Sequence, residues 1–129
     1  RGAVHDGAMT EHDSRWLYRQ MIDAMVVACL QGPGRVSAER IRVGVWNPNA
    51  DADTDPNQVL MNGLLDSLEE SHRQALSALF AEEFASGIFN ALSVLTAAHL
   101  EPFHEGYEGD PSDDFLGRID GSSWPGDAR

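Results

Sequence analysis

Two groups of side chains in the sequence have the types that bind metal ions or move protons. His99, Glu101, His104 and Glu105 bring imidazole and carboxylate donors close together, the ligands that zinc, iron and manganese accept. With Glu108, Asp110, Asp113 and Asp114 just downstream, the same cluster could supply an acid and a base. No histidine pair at i, i+4 fixes two ligands on one helical face, so a hydrated acidic turn is the plain alternative. Asp51, Asp53 and Asp55 alternate through a loop in the way a calcium loop opens. Pro56 then stands where the turn glycine belongs and Asn62 where the closing Glu does, which leaves a solvated turn or an opportunistic cation site.

A third group lies on a helical pattern. Glu82, Ser86 and Asn90 recur at four-residue steps and form a polar edge, with Gly87 beside them. A mid-helix glycine costs about 1 kcal/mol against alanine, so close approach of another helix is its expected reason. Together the four residues mark an interaction edge. An enzyme reading would use Glu83 with His72 or His99 as an acid/base pair, or the His104 cluster. No phosphate-cradling glycine loop, H-E-x-x-H, C-x-x-C or G-x-S-x-G occurs, and the chain has no lysine for Schiff-base chemistry. Cys29, the single cysteine, sits in the apolar run Ala24 to Leu30, where a thiol is inert. No catalytic residue and no cofactor are assigned, and the balance leans away from an enzyme.

Composition narrows the partners. Nine arginines face twenty-one acids for a formal charge of −12, which repels phosphate backbones and attracts a basic protein partner. Nucleic acid is therefore not expected. The apolar run Ala24 to Leu30 is too short to cross a bilayer of about 30 Å, so no membrane partner is expected either. One cysteine excludes a disulfide scaffold and fits a reducing cytoplasm. Residues 1–8 read as an appended tail before Met9, and residues 9–129 as a single helical domain with an acidic, loop-rich C-terminus.

These groups must be carried by helices. Leu17, Met21, Ala24, Met25 and Ala28 follow one face of a first helix, which the Gly32-Pro33-Gly34 stretch ends. Residues 37–46 are balanced: Ser37 can cap a helix, while Ile41, Val43 and Val45 alternate as in a strand, with 115–119 as the available partner. A short helix restarts near Pro56, with Val59, Leu60 and Leu64 inward. Ser67 and Glu70 make a capping box for a long amphipathic helix over about 68–100. Its apolar stripe runs through Leu76, Leu79, Phe80, Phe84, Gly87, Ile88, Ala91, Leu92, Leu95 and Ala98. The last stretch offers Ser112 or Asp113 as a cap for a turn through Phe115 to Ile119, and Trp124-Pro125 to dock back. The expected fold is mainly α, a bundle of three to four helices with at most a minor two-stranded β patch.

The ending Asp114-Phe115-Leu116-Gly117-Arg118-Ile119-Asp120-Gly121, followed by Trp124-Pro125-Gly126-Asp127, resembles small uncharacterised bacterial helical proteins that end in D-F-x-x-R-x-x-G and W-P-x-D. The resemblance implies bacterial origin and a helical fold, and no activity. The sequence thus points to a small acidic, non-enzymatic protein-binding or regulatory module that forms a homodimer. The alternatives are a small metal-dependent or acid/base enzyme and a binder of a small apolar ligand.

Overall fold

The computed structural model of the chain describes residues 11–98 and 110–127. The expected tail at 1–8 and the ligand candidates His99, Glu101, His104 and Glu105 lie outside the described residues. Five helices follow one another: α1 Glu11–Leu30, α2 Pro33–Val43, α3 Pro56–Ser67, α4 Glu70–Ala97 and α5 Pro111–Ile119. The fold is mainly α, and no strand occurs among the described residues. The balanced segment 37–46 is helical as far as Val43, and its would-be partner 115–119 belongs to α5. Burial shows why the alternation misleads. Ile41 is fully buried while Val43 is 57% exposed, although a strand would place both on one face.

The chain divides into two compact units, residues 1–26 with 92–129, and residues 27–91. In the first, Tyr18, Ile22, Leu92, Phe115 and Trp124 are buried. The buried line on α1 is therefore Tyr18 and Ile22, one step round from the predicted Leu17 and Met21, which are half-buried. Tyr18 is admitted because its hydroxyl donates to the Asp114 carboxylate. Asp23, one position beyond Ile22, accepts from Arg118 Nε at 2.7 Å through one oxygen and from Trp124 Nε1 at 3.1 Å through the other. Arg19 donates to the Pro125 carbonyl at 2.8 Å and pairs with Asp127 at 3.4 Å. Both guanidiniums also stack on the Trp124 ring, Arg19 at 5.1 Å and Arg118 at 5.4 Å from its centroid. Trp124-Pro125 thus docks on α1 as expected, through a polar staple around the indole.

The cap of α5 lies two residues before Ser112, the earlier of the two expected caps. Asp110 is its N-cap, accepting the Ser112 backbone N–H at 2.9 Å and the Ser112 hydroxyl, with Pro111 in the first turn where no N–H is missed. These hydrogen bonds, the Ser112 hydroxyl first, hold the Asp110 carboxyl below its ordinary range.

In the second unit, Gly34, Ala38 and Ile41 form the buried face of α2. A Cβ at Gly34 would stand 2.7 Å from the Phe84 ring and 2.9 Å from the Cys29 Cα, so glycine sets the closeness of this crossing. Ser77 Oγ fastens α4 to α2 by donating to the Ala38 carbonyl at 2.7 Å. Burial pushes the Cys29 thiol up, which keeps it protonated and unreactive. Leu65 is the buried residue of α3, whereas the predicted inward residues Leu60 and Leu64 are 71% and 50% exposed. The expected cap Ser67 instead ends α3, its hydroxyl donating back to Leu64 O at 2.7 Å, and α4 starts at Glu70.

The long helix is present, but its apolar stripe is not buried as a stripe. Of the ten predicted residues Leu92 is buried, Leu76 and Ile88 are half-buried, and the other seven are exposed. A 28-residue helix that is apolar on several sides leaves much of that surface uncovered among the described residues. Among the described residues α4 is also the one helix long and apolar enough to cross a membrane, a test that core helices of soluble proteins pass as well.

Replacing Asp23 by Ala removes the acceptor of two donors in a half-buried corner and is expected to cost about 1–2 kcal/mol of stability. Urea unfolding followed by helical circular dichroism checks this. At Asp110 the cap contributes while the carboxylate is charged, so its share is complete above the ordinary aspartate range and disappears as the pH falls through the lowered folded value. The thermal midpoint of wild type minus that of Asp110→Asn should therefore narrow between pH 7 and pH ~3.

Candidate binding groove

The second unit contains an open groove of about 700 Å³, lined by α2, the Gln31-Gly32 turn before it and the Val45–Pro48 segment after it. The end of α2 creates it. Gly44 takes the left-handed conformation, φ 88°, and donates to Ile41 O at 3.1 Å while Val45 N–H donates to Arg40 O at 3.1 Å. This motif turns the chain back, so that Trp46 faces α2 and the Arg40 guanidinium lies 5.5 Å from its ring centroid. A side chain at Gly44 would also press on Arg73, 3.2 Å away.

The returning wall is held from α3. Asn62 Oδ1 accepts the backbone N–H groups of Trp46 and Asn47 at 2.8 and 3.1 Å, and its Nδ2 donates to Asn47 O at 2.7 Å. Asn47 Nδ2 donates in turn to Gln58 Oε1. One amide side chain thus satisfies three backbone groups of a segment that has no helix or sheet to do so. Asn62, which with Pro56 departs from the calcium-loop pattern, serves as a clamp on the groove wall.

Val36, Val43, Val45, Trp46 and Pro48 give the groove apolar walls, and Arg35 and Arg40 stand along it. Residues 31–48 contain three Arg and one Glu, a local charge of +2 (3 − 1) in a chain of −12. Glu39 does not cancel this at the groove, because Arg42 grips it at 2.9 Å through Nε and again through NH2. That hydrogen bond, more than the nearby Arg35, lowers the Glu39 carboxyl below its ordinary range.

The residues singled out by sequence fall elsewhere. Asp51, Asp53 and Asp55 stay in a loop where Asp51 accepts the Asp53 backbone N–H at 2.8 Å. Among the described residues no group of three His, Cys, Asp or Glu is arranged to hold a metal ion. Glu82, Ser86, Gly87 and Asn90 are all exposed on α4. A Cβ at Gly87 meets nothing within 4 Å, so its expected close neighbour is not supplied within the described chain. His72 and Glu83, both exposed, are separated by about 16 Å along the axis of α4, too far for an acid/base pair. The groove itself was missed: its signal was the cluster of three arginines with Trp46 in an otherwise acidic chain.

Asn62→Ala removes the one oxygen that accepts two backbone N–H groups and the amide N–H that donates to Asn47 O. It is expected to cost about 1–3 kcal/mol and to loosen the returning segment, read as faster hydrogen exchange of the Trp46 and Asn47 amides that Asn62 holds.

No curated protein and no solved structure matches the chain. One family model matches residues 11–126, and on that match the chain belongs to a family of unknown function, DUF6547.

Proposed function

We propose that the chain is a non-enzymatic protein-binding module whose groove docks an apolar segment of a partner protein that also carries carboxylates. The observation that supports this is the pairing of Val36, Val43, Trp46 and Pro48 with Arg35 and Arg40 along one groove of about 700 Å³. An apolar anchor gains area against Trp46, and carboxylates beside it meet guanidiniums that form no ion pair among the described residues. The groove is open along its length, which suits a peptide segment rather than an enclosed small molecule. Its local charge refines the partner. The chain's overall −12 favours a basic protein in the encounter, while the docked segment itself is acidic.

Selection of a random peptide display library on the immobilised chain tests the reading. Enriched peptides should carry an aliphatic or aromatic residue flanked by Asp or Glu. Their affinity should fall at least about tenfold on Trp46→Ala or Arg40→Glu and decline with salt, as screened charge pairs do. Enriched peptides indifferent to both substitutions would refute the groove as the docking site.

A further inference from the structure

Glu39 is the one acid of α2, and three arginines of the same helix stand within its reach. Arg35 lies one turn before it, Arg40 beside it, and Arg42 nearly one turn after it. Arg40 is turned to Trp46, its guanidinium 5.5 Å from the ring centroid, so the choice for Glu39 is between Arg35 and Arg42. It takes Arg42. Arg42 Nε donates at 2.9 Å to one carboxylate oxygen and NH2 donates to the other, the forked match between a guanidinium and a carboxylate. Helix order favours this choice. An acid that precedes its cation along a helix follows the macrodipole, whereas Arg35 followed by Glu39 has the reverse order. The charge of Glu70, at the start of α4, acts on Arg42 as well. Arg35 still acts on Glu39, as a weaker influence than the bonded Arg42.

We infer that Arg42, which does not line the groove, is a positioning residue that sets the groove's selectivity for acidic segments: by holding Glu39 it keeps Arg35 open to a partner's carboxylate. A released Glu39 closes Arg35 with an internal pair. This rests on the groove reading above and specifies how the groove is kept positive. Summed charge alone does not give the same result. Losing Arg42 removes a positive charge that lies off the groove, but freeing Glu39 removes one of the two guanidiniums that stand along it. A double-mutant cycle separates the two effects.

Calorimetric titration with an acetylated, amidated Glu-Glu-Leu-Phe-Glu-Glu peptide, and with its counterpart carrying Gln for every Glu, is the primary test. Arg42→Ala, at an exposed position, should leave the helical circular dichroism intact. It should weaken binding of the acidic peptide about three- to fivefold, the factor that one exposed charge pair is worth, without moving the Gln peptide. Glu39→Gln added to Arg42→Ala should recover that loss, a larger gain than the same substitution gives in the wild type. Arg42→Lys keeps the charge without the fork and should show part of the loss. A readout without peptide is the titration of the Glu39 carboxyl by nuclear magnetic resonance. In Arg42→Ala, a further Arg35→Ala should raise its pKa by more than Arg35→Ala does in the wild type. An acidic peptide that binds the wild type no better than its Gln counterpart refutes the groove reading, and the role of Arg42 with it. Acidic binding that Arg42→Ala leaves unchanged, an equal gain from Glu39→Gln in both backgrounds, or a Glu39 titration in Arg42→Ala that ignores Arg35 overturns the role of Arg42 alone.

Discussion

Asp23 does for the first unit what a larger core would otherwise do. Its two carboxylate oxygens are divided between Arg118 and the indole N–H of Trp124, residues about a hundred positions away in sequence. A charge-assisted bond to each is worth more than a neutral one, and the donors come from α5 and from the turn that follows it. Tyr18 on α1 reaches Asp114 at the start of α5, and Arg19 reaches Pro125 and Asp127 beyond Trp124. One helix therefore presents a phenol, a guanidinium and a carboxylate that seat α5 and the turn after it. The aromatic ring can be buried because its indole N–H is matched by the Asp23 carboxylate.

Reliance on polar matching follows from how little apolar surface the chain buries. Nine hydrophobic residues are buried among the described residues, while fifteen large ones stay exposed. In the second unit the same economy appears in a different form. Gly34 lets α2 sit at backbone distance from Cys29, and Asn62 replaces a sheet or helix as the hydrogen-bonding partner of residues 46–47. Both devices are specific to geometry rather than to hydrophobicity, so they tolerate a surface left open for another molecule.

That difference also governs what could be read in the sequence. Boundaries set by local chemistry were legible: Gly32-Pro33 between α1 and α2, Pro56 opening α3, and Trp124-Pro125 returning to the helices. The face each helix buries was less so. Leu60, Leu64, Phe80 and Phe84 satisfy every periodic rule for a core stripe, yet periodicity states that residues share a face, not that the chain has anything to lay against it. Tyr18 and Asp23 were invisible for the opposite reason, since a phenol and a carboxylate join a core when their partners arrive from far along the chain. The groove combined both difficulties. Its arginines were legible as charge, but Trp46 joins them through a left-handed glycine and an asparagine clamp that no periodicity announces.

The excess acid and the excess exposed apolar surface have a common logic. Exposed apolar side chains on α4 and an apolar groove along α2 would promote indiscriminate association in a neutral protein. A net charge of −12 sets a general repulsion between copies, which a contact must overcome with well-matched area. Small contacts then fail. The same field leaves the +2 of the groove as an island in an acidic chain. Charge in this chain works less as an adhesive than as a filter on which apolar contacts are allowed to form.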